Sequence, residues 1–291
     1  MRSDTVGSNK NGKPWGLVLM GGGARGLAHV GVLRVLGRND LIPDVITGTS
    51  MGGIVGGLYA AGFSADKLAA MVEGLGPDGA VEKRTRRGLF KRPGNLFEYL
   101  MQSEYRNRLL KNIGLEKEDA IEGYLKALVG DVRIESLPIK FVCNAVDLVT
   151  GKEVFFCKGK LATALRATMS LPLLFPPARV GKMILLDGGV LDNAPVEAAR
   201  QAGAGVTVLV DIHRPLRKVR PGKVTNSLQV IQRMIEMARA GPNETKTRLA
   251  DFVLRVPVDV ETLDFSDPRK IVRMGERTAA AKLEDLKRAI R

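Results

Sequence analysis

Short apolar runs alternate along this chain with stretches in which apolar residues recur every three or four positions, the pattern of strands and helices taken in turn. Residues 15–20 form the first run. It stops at Gly21, Gly22, Gly23, Ala24, Arg25 and Gly26, after which Ala28, Val32, Val35 and Leu36 fall at helical spacing. A turn over residues 39–43 leads to a second apolar run, 45–47. Gly48, Thr49, Ser50, Met51 and Gly52 follow, with an apolar helical stretch on to Ala61. Strand, helix, strand, helix in that order predicts parallel strands joined by crossover helices. The consequence is an α/β fold in three layers, α/β/α, around a mainly parallel sheet.

Residues 64–130 keep helical spacing with more charge, interrupted by Pro93 and Gly94, which predicts a helical lobe at about 64–133. Two apolar runs, 139–147 and 153–156, flank Thr150 and Gly151 and predict a β-hairpin. A helix over 160–169, a Pro-punctuated stretch to Pro177, and a strand over 183–186 ending at Asp187, Gly188 and Gly189 come next. Residues 206–210 and 252–256 read as buried strands, and Leu228, Ile231 and Ile235 mark a helix between them. Ala279, Leu283, Leu286 and Ile290 predict one final amphipathic helix against the core. The expected organisation is a polar tail over residues 1–14 and a single domain over 15–291.

With 291 residues, 45% of them hydrophobic, the chain is long enough to bury a sizeable core. It has no run of about 20 apolar residues to cross a bilayer, and its polar start lacks the apolar centre of a signal peptide. A cytoplasmic protein, soluble or peripheral at a membrane, is the expectation. Cys143 and Cys157 lie in apolar runs and read as two reduced core residues, with no metal and no cofactor inferred. Lys and Arg number 45 against 31 Asp and Glu, a net +14 that favours an anionic surface as partner. Lys83, Arg84, Arg86, Arg87, Lys91 and Arg92 form one basic run, and Arg214, Arg217, Lys218, Arg220 and Lys223 another. Aromatic residues are only 5% and no zinc-finger or base-stacking pattern occurs, so anionic membrane headgroups fit better than nucleic acid.

The chemistry centres on Ser50. A serine between Gly48 and Gly52, entered by a strand and left by a helix, has the pattern of a nucleophile elbow, where a sharp turn presents the hydroxyl. The N–H groups of Gly22, Gly23 and Ala24 are placed to converge on one oxygen with the positive end of a helix behind them, an oxyanion hole. Arg25 either fixes that loop or meets an anionic substrate group. Gly21, Gly23 and Gly26 also satisfy G-x-G-x-x-G, which raises a dinucleotide-binding alternative. Against it, the second strand ends in Thr47, Gly48 and Thr49, without the acid that would hold a ribose.

Two histidines restrict the choice of base. His29 on the first helix reads as a packed, hydrogen-bonded residue, whereas His213 after the 206–210 strand gives the order Ser50, Asp187, His213 of a hydrolase triad. Asp187 is itself the competing base, at a strand end where Gly188 and Gly189 allow close backbone approach.

Taken together, Gly21 to Gly26, Gly48 to Gly52, and Asp187 to Gly189 resemble the patatin-like phospholipase family, bacterial branch, in family order. Asp147 to Gly151, the stretch from Arg166 to Pro177, and Asp192, Asn193, Ala194 and Pro195 are similar to that family too. The resemblance implies a serine esterase acting on lipid esters, with Ser50 and Asp187 as a dyad and the first glycine loop as oxyanion hole. It makes His213 a bystander and implies a sheet of about six strands. Thr168 stands where such proteins often carry serine. A non-catalytic regulatory protein of the same fold is the alternative from another functional class.

Overall fold

A computed structural model describes residues 13–73, 120–172 and 175–291, apart from 217, 220, 221, 223, 225 and 226. Its first strand, β1 (Trp15–Leu19), is wholly buried. A 3-10 turn (Gly23–Leu27) and helix α1 (Ala28–Arg38) lead to β2 (Val45–Gly48), which pairs with β1 in parallel. Helix α2 (Met51–Ala60) starts directly after Ser50. The opening strand–helix–strand–helix unit is therefore as the apolar pattern predicts. Helices α3 (Ala65–Glu73) and α4 (Ala120–Val129) occupy the two ends of the expected helical lobe. The remainder of that lobe, with Pro93, Gly94 and the basic run from Lys83 to Arg92, lies outside the described residues. So do Arg217, Arg220 and Lys223 and most of the polar tail.

The hairpin is present as β3 (Lys140–Asp147) and β4 (Lys152–Phe156), antiparallel. After α5 (Leu161–Thr168) the chain forms a three-residue strand, β5 (Ala178–Val180), and β6 (Met183–Asp187). A short helix, α6 (Val196–Gln201), and β7 (Val206–Asp211) precede the 23-residue helix α7 (Ser227–Leu249), which runs through Pro242. Strand β8 (Phe252–Arg255) completes an 8-stranded sheet of order β5-β6-β3-β2-β1-β7-β8, with β4 beside β3. Strands β3, β2, β1, β7 and β8 are parallel, and β4, β5 and β6 are antiparallel additions at one side. The short β5 is the strand that the apolar pattern does not predict.

Alternation along β2 shows the layers. Ile46 and Gly48 face α2, whose Gly56 and Gly52 lie against them. Thr47 faces the opposite way, and its hydroxyl donates to the Pro195 carbonyl at the start of α6 at 3.0 Å. Residues buried on both faces require both layers of helices, which explains near-continuous apolar strands rather than alternating ones. Helices α1 and α3 pack with the late helix α8 (Pro268–Ala281) on one side.

The end of the chain corrects the expected single helix. Two helices occupy it, α8 and α9 (Leu283–Ala289), divided at Lys282, where φ is −109° and ψ 12°. The Asp267 carboxylate accepts from Lys270 N at 2.9 Å and Pro268 opens the helix, a strong start signal. Cys143 is buried as expected, but Cys157 is exposed at the end of the hairpin and is not a core residue.

Helix α8 lies unusually close to α1. A methyl group on Gly275 would stand 2.0 Å from the Ala28 carbonyl oxygen. Gly275→Ala is expected to lower stability by about 1–3 kcal/mol, because the overpacking outweighs the gain of at most about 1 kcal/mol in helix propensity. Urea denaturation measures it, and a more stable variant would show slack between these helices.

Candidate active site

Sheet register carries the predicted residues to one edge. Leu19 pairs with Gly48, and Gly48 with Cys143, so the loops after β1 and β2 leave the sheet side by side at the carboxyl ends of its parallel strands. Two residues further along β3, Ala145 pairs with Asp187 of the antiparallel β6. Asp187 therefore arrives beside the turn that holds Ser50, although their sequence positions are far apart.

Ser50 has φ 54° and ψ −126°, a conformation that L-residues with side chains rarely adopt. The turn is held from several directions. Ser50 N–H donates to the Thr168 hydroxyl at 2.9 Å, Thr49 N–H to the Leu19 carbonyl at 3.3 Å, and the Thr49 hydroxyl to Asn144 Oδ1 at 2.8 Å. Gly52 sits where a methyl group would come within 2.1 Å of the Leu19 carbonyl oxygen, and one on Gly48 would come within 2.6 Å of the Gly52 backbone. Both glycines are there because backbone passes against backbone. Thr168 supplies the hydroxyl acceptor that a serine would also supply, so that departure leaves the contact intact.

Asp187 is 1% exposed. Its Oδ1 accepts from Gly189 N at 2.8 Å, and the Ser50 hydroxyl approaches the carboxylate; among the described residues Oδ2 has no hydrogen-bond partner. Burial raises its pKa above the ordinary carboxylate value, opposed by the charge of Arg239, by Ser50 and by the Gly189 N–H. Gly188 and Gly189 form the buried 3-10 turn that follows, and Gly188 lies against the Asn144 side chain.

In the first glycine loop, Gly23 has φ 57° and its Cα hydrogen faces the Thr262 carbonyl, where a methyl group would stand 2.1 Å away. The Ala24 N–H donates to that same carbonyl at 2.8 Å, so it does not join Gly22 and Gly23 as expected from sequence. Gly21 N–H goes to the Asn193 carbonyl at 3.0 Å and Arg25 N–H to Gly22 O at 3.3 Å. Among the described residues the Gly22 and Gly23 N–H groups have no backbone acceptor. Gly26 packs against Met51 of α2. The Arg25 side chain fixes the loop, its Nε donating to Gly22 O at 3.4 Å and its Nη2 to the Thr262 hydroxyl at 3.1 Å.

Neither histidine joins this group. His29 is fully buried, its Nε2 is 2.7 Å from the Met20 carbonyl, and burial lowers its pKa to about 4, which keeps the ring neutral and Nε2 the donor. His213 N–H donates to Asp211 Oδ1 at 2.8 Å, and the charges around the ring are those of Asp211, Arg25, Glu244 and Arg255. Arg214, from the second basic run, is engaged by Asp259 at 3.0 Å and Glu261 at 2.7 Å.

Asn144, which no motif marks, and Asn193, from the block after Asp187, add further hydrogen bonds. Asn144 Nδ2 donates to the Asp192 carbonyl at 2.8 Å and to Glu153 at 2.7 Å; Asn193 Nδ2 donates to Gly21 O at 3.0 Å. A cavity of about 260 Å³ lies between the segment after β6 and α7, lined by Val190, Leu191, Asn193, Arg239, Pro242 and Lys246 among others. No group of His, Cys, Asp or Glu suited to a metal occurs among the described residues. No described helix is long and apolar enough to cross a membrane.

Comparison with known proteins adds an independent line. The family model for patatin-like phospholipase matches residues 17–200. An uncharacterised NTE family protein of Mycobacterium tuberculosis is 32% identical over 197 residues, 68% of this chain and 48% of that protein. A Candida albicans lysophospholipase is 34% identical over 200 residues, 68% of this chain and 13% of that protein. The chain thus spans about half or less of the length of these relatives. Among solved structures, VipD from Legionella pneumophila has a TM-score of 0.47 at 16% identity, over 94% of this chain and 67% of that one. Human GIVD cytosolic phospholipase A2 has a TM-score of 0.47 at 10% identity, over 100% of this chain and 60% of that one.

Proposed function

The chain belongs to the patatin-like phospholipase family, and on that premise we propose that it hydrolyses carboxylic esters of lipids through an acyl-enzyme on Ser50. The observation that carries the reading is the approach of the Ser50 hydroxyl, on its strained turn, to the buried Asp187 carboxylate beside the Gly22–Gly23 loop. Asp187 takes the hydroxyl proton as Ser50 Oγ bonds to the ester carbonyl carbon. The carbonyl oxygen gains the negative charge and faces the N–H groups of Gly22 and Gly23, with the helix start behind them. Collapse of this intermediate breaks the bond to the alcohol, which leaves with the proton from Asp187. Water then gives a proton to Asp187 and attacks the acyl carbon, and Ser50 Oγ leaves with that proton, releasing the fatty acid.

A carboxylate is ordinarily a weak base for a hydroxyl. Burial makes Asp187 stronger by raising its pKa, and the backbone donors stabilise the charge that forms. In this reading Gly48 and Gly52 shape the elbow, Gly188 and Gly189 support Asp187, and the loop from Gly21 to Gly26 forms the oxyanion hole, with the Ala24 N–H committed to Thr262. The substrate is a lipid ester, and a peripheral contact with an anionic membrane accompanies it. Of the basic residues assigned to that contact, Arg214 is already ion-paired, so the contact relies on others.

Hydrolysis of p-nitrophenyl butyrate and of lysophosphatidylcholine, followed by fatty-acid release, tests the reading. Wild type is expected to turn over both, and His213→Ala to remain within about threefold of it, because no reacting atom is assigned to that ring. A His213→Ala enzyme as inactive as Ser50→Ala would replace the dyad by a triad.

A further inference from the structure

Asp187 is not the only charged group buried here without full hydrogen bonding. Arg239, from the third quarter of α7, is partly exposed as a residue, yet its Nε and Nη2 are buried and have no hydrogen-bond partner among the described residues. Asn193 Oδ1 and Asp187 Oδ2 are in the same condition. These side chains converge on one spot: a methyl group on Gly189 would stand 2.7 Å from Asn193 Oδ1, 2.8 Å from Arg239 Nη2 and 3.0 Å from Asp187 Oδ1. The guanidinium and the carboxylate therefore both border the space beside the bare Cα of Gly189.

We propose that Arg239 is a positioning residue of the ester-cleaving site, the buried counter-charge that holds Asp187 as a carboxylate ready to take the Ser50 proton. The inference rests on the assignment of Ser50 and Asp187 as nucleophile and base. A guanidinium is charged at every relevant pH, so it supplies a fixed positive field where a lysine or histidine could discharge. Burial lowers the Arg239 pKa, and the charges of Asp187 and then Glu236 raise it. Glu236 is itself held by Arg233 at 3.1 Å. The groups facing Asp187 are Arg239 from α7, the Ser50 hydroxyl from the turn after β2, and the Gly189 N–H from the turn after β6. Of these, Arg239 opposes the effect of burial most strongly. The other cation lining the cavity, Lys246, is already bound to Asp192 at 2.8 Å and Glu197 at 2.6 Å.

Asp187 works deprotonated, so activity is present above its pKa and is lost as pH falls through it. Without the counter-charge, burial acts unopposed and the acid stays protonated to higher pH. The test is the pH profile of kcat/KM on a neutral p-nitrophenyl ester and on lysophosphatidylcholine for wild type, Arg239→Met, Arg239→Gln and Arg239→Lys. It is paired with a ¹³C-carboxyl NMR titration of Asp187, which needs no turnover. The neutral variants are expected to move the acid limb upward, losing at least about tenfold at pH 6 but staying within about threefold on the alkaline plateau. Arg239→Lys returns the profile toward wild type, and the Asp187 resonance titrates at higher pH in the neutral variants.

Superimposable profiles and an unmoved resonance would overturn the inference. So would a loss uniform with pH that lysine does not rescue, or one confined to phosphate-bearing esters, which would make Arg239 a substrate contact. A wild type that turns over no ester overturns the esterase reading separately, and the titration still decides whether Arg239 is the counter-charge.

Discussion

Ser50→Ala is expected to lower ester turnover by about 10³-fold or more while leaving the fold intact. On the proposed mechanism the magnitude follows from removing the atom that forms the acyl bond; what remains is binding and charge stabilisation acting on water. Alanine occupies the same backbone conformation as serine, so its φ of 54° costs the same and stability changes little. Ser50→Gly separates the two effects further. Glycine adopts that conformation without strain, so the variant is expected to be inactive yet about 1 kcal/mol more stable. A Ser50→Ala enzyme with wild-type turnover would mean that the hydrolysis belongs to another residue.

Asp187→Asn is expected to lower turnover by about 10²- to 10⁴-fold, the range in which a positioned base contributes. The amide keeps the shape of the acid and still accepts from Gly189 N–H, so the 3-10 turn after β6 persists. It cannot take the proton from Ser50. It also leaves the Arg239 guanidinium buried without its opposite charge, so the variant is expected to unfold at lower temperature than wild type. Adding Arg239→Met to Asp187→Asn should recover part of that loss, a coupling that two independent residues would not show. Thermal melts of the four proteins measure it.

The parts of the site carried by local sequence were legible without coordinates. Gly48, Ser50 and Gly52 announce a turn because three neighbouring positions share one steric demand, and the β1 loop announces itself in the same way. The parallel strands were readable because each is a short apolar run bounded by turn residues. Non-local partners left no such trace. Asn144 and Arg239 reach the Thr49 hydroxyl and Asp187 from β3 and α7, and each is an ordinary residue in its own segment; Thr168, which accepts from Ser50 N–H, was marked only by the family resemblance. The commitment of the Ala24 N–H to Thr262 depends on a loop near the far end of the chain. Strand β5 is three residues long and follows prolines, too short to register as a pattern. The start of α8 was different, since Asp267 and Pro268 spell a helix cap that the periodicity of Ala279 and Leu283 overshadowed.

The central claim, that Ser50 is a nucleophile activated by Asp187, is tested most directly by fluorophosphonate labelling read by intact mass and peptide mapping. A single adduct on Ser50 in wild type is predicted, absent from Ser50→Ala, slowed in Asp187→Asn and retained in His213→Ala. A wild type that stays unlabelled with liposomes present, or a label that survives Ser50→Ala, would contradict the account.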